Sequence, residues 1–128
     1  MRGWIRISRD RIRALLKRIK RPYSELEAWL DIEASVRFSE KPLERNFKGR
    51  EFMIKEAQML TSKKEFAQKW SWNKKRVQRF LERLEREKEI KIQSYKGIGL
   101  MITSLEYLRL KEELEEIKKR KKSKEKKA

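Results

Sequence analysis

The chain has no cysteine and no histidine, and only four glycines and two prolines in 128 residues. Without cysteine there is no disulfide framework, no thiolate zinc site and no iron–sulfur cluster. Without histidine the commonest general base and the commonest metal ligand are absent, and Ser-His-Asp and Cys-His catalysis are excluded. No glycine-rich phosphate loop is present. The carboxylates Glu112, Glu113, Glu115 and Glu116 have no matching cluster elsewhere and read as a solvated face pairing with nearby lysines. The expectation is a protein that is not an enzyme and uses no cofactor or metal. Long apolar runs are also missing: none approaches the ~20 residues of a membrane span. The N-terminus is positive but lacks the apolar stretch of a secretory signal. Together these absences imply a soluble, cytoplasmic, non-redox protein without a membrane partner, and one domain at this length.

What is abundant is positive charge. Lys and Arg number 37 against 20 Asp and Glu, a net +17. Residues 1–21 carry nine basic side chains and one acid, and residues 118–127 carry eight and one; the middle, 22–117, is nearly balanced, with 20 basic and 18 acidic residues. Two cationic ends beside a balanced module form a footprint of nucleic-acid binding. The expected organisation is a basic N-terminal arm and first helix over 1–21, a folded domain over 22–117, and a basic, disordered tail over 118–128.

Apolar periodicity orders the elements. Ile12, Leu15, Leu16 and Ile19 form an i, i+3, i+4, i+7 stripe, so a helix is predicted from Ser8 to Lys20, broken by Arg21-Pro22. A second helix is predicted over Ser24–Phe38, capped by Ser24, with the stripe Leu26, Trp29, Leu30 and Val36. Residues 39–50 read as a loop into a short hairpin, with Lys48-Gly49 near its turn and Glu51–Ile54 as the return strand. Ser62-Lys63-Lys64-Glu65 reads as a capping box. The short helix after it ends at Ser71-Trp72-Asn73, and Asn73 caps another helix over 74–88. Helix, three-residue turn, helix is the spacing of a helix-turn-helix, placed at 62–88. Ile90–Gln93 and Leu100–Thr103, joined through Lys96-Gly97-Ile98-Gly99, read as a hairpin wing over 90–103. A final helix begins at Ser104 and carries Tyr107, Leu110, Leu114 and Ile117 to the end of the domain at 117. That spacing suits a homodimeric coiled-coil seam and equally suits packing onto the domain. The fold class is therefore expected to be mainly α (α+β): a winged helix-turn-helix with a two- or three-stranded antiparallel wing, extra N-terminal helices and a C-terminal helix.

The helix after Asn73 carries the functional argument. At 100° per residue, Phe80, Leu81 and Leu84 fall within about 60° of Val77. Lys75, Arg79 and Arg86 fall opposite, flanked by Arg76 and Arg83. Arg83 has same-sign neighbours at Arg79 and Arg86, whereas a purely structural face would alternate signs. A helix fits the major groove, and guanidinium forks reach phosphate oxygens and guanine edges. Lys74, Lys75, Gln78 and Arg79, early in the helix and facing out, are the expected base readers. Lys63 and Lys64 are expected phosphate contacts, and Lys91 and Lys96 are expected to reach adjacent backbone or minor groove. Trp70 and Trp72 admit core packing or, on single strands, base stacking.

The run Met59-Leu60-Thr61-Ser62, then Phe66-Ala67-Gln68-Lys69-Trp70-Ser71-Trp72-Asn73, with Val77-Gln78-Arg79-Phe80-Leu81-Glu82-Arg83-Leu84-Glu85 and Met101-Ile102-Thr103, resembles a known group. So do Gly3-Trp4-Ile5-Arg6-Ile7 and Glu27-Ala28-Trp29-Leu30. The group is the N-terminal winged-helix domain of bacteriophage replication-initiation and replisome-organiser proteins, the DnaD-like phage proteins, and the resemblance covers about residues 3–107. The group's usual Asn-Tyr pair after the second wing strand reads Ser104-Leu105 here. The resemblance implies sequence-directed binding of double-stranded DNA at a replication origin, recruitment of a replicative helicase or its loader, and a place in the nucleoid or phage-infected bacterial cytoplasm. The residues alone also admit a transcriptional regulator built on the same module, or a basic RNA-binding or structural protein.

Overall fold

Side-chain caps set where the helices begin. The computed structural model describes residues 6–126, with side chains to residue 120. Helix α1 (Arg9–Lys17) starts where the Ser8 hydroxyl accepts from the Arg11 N–H at 3.1 Å. Helix α2 (Glu25–Ser35) opens with a complete capping box: Ser24 Oγ accepts from the Glu27 N–H, and Glu27 Oε1 accepts from the Ser24 N–H at 2.8 Å. Helix α3 (Lys63–Trp70) is capped by Ser62, and α4 (Lys74–Arg86) by Asn73, whose Oδ1 accepts from the Arg76 N–H at 2.8 Å. Helix α5 (Leu105–Lys126) begins where Ser104 Oγ accepts from the Tyr107 N–H at 3.0 Å.

The strands form two antiparallel sheets, so the fold is mixed α+β. In the first, β1 (Leu43–Phe47) pairs with β2 (Arg50–Ile54) across the two-residue turn Lys48-Gly49. Both turn residues have positive φ, 52° and 82°, as the tight turn favoured by the right-handed strand twist requires. In the second, β3 (Gln58–Thr61), β5 (Gly99–Ser104) and β4 (Ile90–Tyr95) lie in the order β3-β5-β4. Along the chain, β3 leads into α3, the corner Ser71-Trp72-Asn73, α4 and the β4–β5 hairpin. The hairpin predicted at 90–103 thus gains β3 as a third strand.

One core unites the helices with the inner sheet. Trp70, Trp72, Phe66 and Phe80 form its centre: Trp70 stacks on Phe66 with centroids 4.2 Å apart and meets Trp72 edge-on at 5.0 Å. The Trp70 indole N–H donates to Asp31 Oδ2 at 2.9 Å, and the Trp72 indole N–H donates to the Tyr23 carbonyl at 2.7 Å. Both indoles are buried and hydrogen-bonded within the chain, so core packing holds and base stacking is ruled out for them. A second cluster, Phe47, Phe52, Ile54, Leu60 and Met101, seats the β1–β2 hairpin against the inner sheet.

Several boundaries differ from the sequence expectation, each for a tertiary or local reason. Helix α2 ends at Ser35, not Phe38, because Val36 turns extended and Arg37 pairs with the β3 end: its N–H reaches the Gln58 carbonyl at 2.9 Å and its carbonyl accepts from Ala57 at 2.7 Å. Helix α1 ends at Lys17 rather than Lys20, and α4 at Arg86 rather than 88, since Lys88 adopts a left-handed φ of 59°. The box at 62–65 is only half formed. Ser62 caps Glu65, but the Glu65 carboxylate accepts from the buried Thr61 hydroxyl at 2.9 Å instead of reaching back to Ser62. The tail expected to be disordered from 118 continues α5 to Lys126. That run is rich in Lys, Arg and Glu and has no Gly or Pro to break a helix. Gly3, Trp4 and Ile5 of the resemblance lie outside the described residues, as do the tail side chains from 121. Among the described residues, no helix is long and apolar enough to cross a membrane.

Candidate nucleic-acid interface

Helix α4 is amphipathic because its residues at i, i+3, i+4 and i+7 are apolar. Val77, Phe80, Leu81 and Leu84 are all buried in the main core. Lys74, Lys75, Arg76, Gln78, Arg79 and Arg86 are consequently exposed. Arg76, Arg79, Arg83 and Arg86 line one shallow groove with Phe80 and Glu25. Its chemistry is that of a guanidinium array with an anionic edge. The Arg76 guanidinium lies 3.9 Å over the Trp72 ring, a cation–π contact between the helix and the corner before it.

Arg83 differs from its neighbours. Its guanidinium forks onto Glu25 at the start of α2, with Nη1 to Oε1 at 3.3 Å, and its Nε lies 3.8 Å from Glu87. The hydrogen bond to Arg83 holds the Glu25 carboxyl below its usual range, and the same bond raises the Arg83 guanidinium. Arg83 is therefore a bridge between α4 and α2 rather than a free cation. Among the described residues, no ion pair involves Lys74, Lys75, Arg76, Arg79 or Arg86. Gln78 donates to Glu82 at 3.0 Å, which occupies one of its amide hydrogens.

The remaining candidates sit on two neighbouring elements. Lys63, at the first position of α3, and Lys96, in the β4–β5 turn, line one shallow groove with Ser62, Ser94 and Gly97. Gly97 has φ 77°, the left-handed value that lets the turn close. Lys64 and Lys91 are exposed on α3 and β4. The structure thus groups all four α4 arginines in one place and Lys63 with Lys96 in another.

The basic N-terminal segment is partly structural. The Arg13 guanidinium donates to the Ala34 carbonyl at 2.8 Å and Arg9 donates to the Glu33 carbonyl, both at the C-terminal end of α2, where cations are favoured. Arg21 forks onto Glu27, with bonds of 2.7 and 3.0 Å, and this pairing, together with the Ser24 N–H, holds the Glu27 carboxyl down to about 2. Lys20 and Arg21 run into Tyr23, whose N–H donates to the Trp70 carbonyl at 3.0 Å. The end of the arm is thereby laced to the α3–α4 corner.

One basic residue beside this surface escaped the sequence reading. Arg50 stacks over Tyr95, the residue before Lys96, at 5.0 Å, and over Phe52 at 5.3 Å. The signal was present in the alternation Arg50, Phe52, Ile54, but which face of β2 met the β4–β5 hairpin needed the tertiary packing. The expected homodimer seam is also partly engaged within the chain. The Tyr107 hydroxyl donates to Glu56 at 2.7 Å, and Leu110 is half-buried, whereas Leu114 and Ile117 are exposed. Among the described residues, no three metal-ligating side chains come together. No family model matches the chain, and no curated protein or solved structure matches it.

Proposed function

We propose that the chain is a winged helix-turn-helix protein that binds double-stranded DNA, with α4 as the recognition helix and the β4–β5 hairpin as the wing. The observation that carries this reading is the division of α4: every apolar side chain of its stripe is buried, and five of its cations are exposed without an ion pair among the described residues. The order β3, α3, three-residue corner, α4, hairpin supports it, as do Lys63 and Lys96 flanking a common groove. In this reading Lys74, Lys75, Gln78 and Arg79 face the major-groove edges of bases, Arg76 and Arg86 meet phosphates, and Lys63, Lys64, Lys91 and Lys96 hold the adjoining backbone. A narrower assignment, phage-type replication initiation with recruitment of a replicative helicase or its loader, rests on the resemblance of residues 3–107 to that group.

The test is fluorescence anisotropy with a labelled duplex. Arg79→Ala should weaken binding by about 1–3 kcal/mol, in the range of a lost bidentate contact. Arg83→Ala, whose guanidinium is held by Glu25, should weaken it less. Equal losses from both, with both variants folded, would remove the special role of the exposed face.

A further inference from the structure

At the far end of α2 from the α4 surface lies a second feature of different chemistry. Glu25 touches α4, whereas Ser35 and Val36, about 16 Å along the helix, line a groove of roughly 400 Å³. Its floor is the outer edge of β3. The ladder register decides which backbone groups point there. Gln58 directs its carbonyl away from β5 to the Arg37 N–H at 2.9 Å, and its N–H away from β5 to the Lys55 carbonyl at 3.1 Å. Antiparallel pairing alternates, so Leu60, two residues on, turns its N–H and carbonyl to the same outer edge. Among the described residues, no strand other than β5 pairs with β3, and no turn, loop or side-chain hydrogen bond reaches either group of Leu60. A strand edge without a partner strand is a template for another strand.

The walls add charge and apolar surface. Arg13, Arg37 and Arg45 line the groove, and none is in an ion pair among the described residues. Arg13 and Arg37 each give one bond to a backbone carbonyl, at 2.8 Å, which leaves other guanidinium donors free. Phe38 and Leu43 line the same groove and are 66% and 44% exposed. We propose that this groove binds an extended, acidic peptide segment of a protein partner, which adds as a strand to β3 at Leu60, places its carboxylates against Arg13, Arg37 and Arg45, and lays apolar side chains on Phe38 and Leu43. A nucleic-acid strand would satisfy the guanidinium groups but does not repeat an N–H and a carbonyl at strand spacing, as pairing at Leu60 requires, which favours peptide. The groove shares no lining residue with the α4 surface, so peptide binding here is independent of DNA binding by α4.

The experiment is an amide chemical-shift titration of the full chain with a blocked hexapeptide alternating Glu and Val, at up to millimolar concentration. Saturable shifts at 59–61 and 37–39, slowed exchange of the Leu60 amide and no response to the Lys-Val counterpart are expected. Arg45→Glu should weaken binding about tenfold with tryptophan fluorescence unchanged, and Arg79→Ala should leave it unaltered. An absent shift at Leu60, an equal response to the lysine peptide, or stronger shifts at these amides from a duplex oligonucleotide than from the peptide would each overturn the proposal.

Discussion

Glu33 carries the most distinctive titration in the chain. Burial pushes its carboxyl up to about 7, against the pull of the Ser104 hydroxyl, which donates to it at 2.8 Å; Glu106 and Glu89 push it further up and Arg9 opposes them. A carboxyl raised in the folded state favours the protonated form, so its contribution to stability is complete below the unfolded value near 4.5. That contribution is lost as pH rises through about 7. Glu33→Gln should therefore flatten the fall in stability between these values, read as the urea midpoint at several pH values. If wild type and variant fall in parallel across that window, Glu33 is not the titrating group. Asp31 is a different case. It is buried, accepts from the Trp70 indole at 2.9 Å and pairs with Lys69 at 2.7 Å. Lys69 is half exposed and water can take over its charge, so the main loss in Asp31→Ala is the stranded indole N–H. The expected cost is about 1–3 kcal/mol by chemical denaturation.

At the scale of elements, the seating of the β1–β2 hairpin depends on one missing side chain. A Cβ on Gly99 would collide with the Thr61 backbone carbonyl and crowd the buried Phe47 ring at 3.2 Å. Gly99→Ala should cost about 1–3 kcal/mol, as overpacking does, and should disturb the amide signals of β1 and β3 more than those of α4. Uniform shifts over the whole spectrum, α4 included, would count against a local collision. The helix-turn corner has a comparable dependence on backbone geometry. Ser71 takes a left-handed φ of 55° to end α3, and Trp72 N–H then reaches the Ala67 carbonyl at 3.0 Å, which turns the chain toward Asn73 and α4.

For the molecule as a whole, the charge distribution makes a prediction independent of any single contact. The net +17 is concentrated in the two ends and on α4. If duplex binding is electrostatic, log affinity should fall linearly with log salt, with a slope of about −0.9 for each phosphate neutralised. Removal of 118–128 should make the slope shallower and lower affinity for all sequences alike. A slope near zero would refute the electrostatic account, and a changed sequence preference after truncation would assign the tail a reading role.

Much of this architecture was legible in the order of residues. The four-residue and three-residue recurrences of Val77, Phe80, Leu81 and Leu84, the caps Ser24, Ser62 and Asn73, and the turn at Lys48-Gly49 are local signals that determine local geometry, and α4's oily and cationic faces follow from them. What they do not contain is which distant groups meet. That Arg83 is held by Glu25, that Arg9 and Arg13 sit on the last carbonyls of α2, and that Glu65 serves Thr61 instead of Ser62 are consequences of packing between segments far apart or of burial at one hydroxyl. Periodicity reports only which side of an element is apolar. The third strand of the inner sheet and the unpaired edge at Leu60 likewise arise from long-range register, which is settled only when every buried donor and acceptor competes for partners in the folded chain.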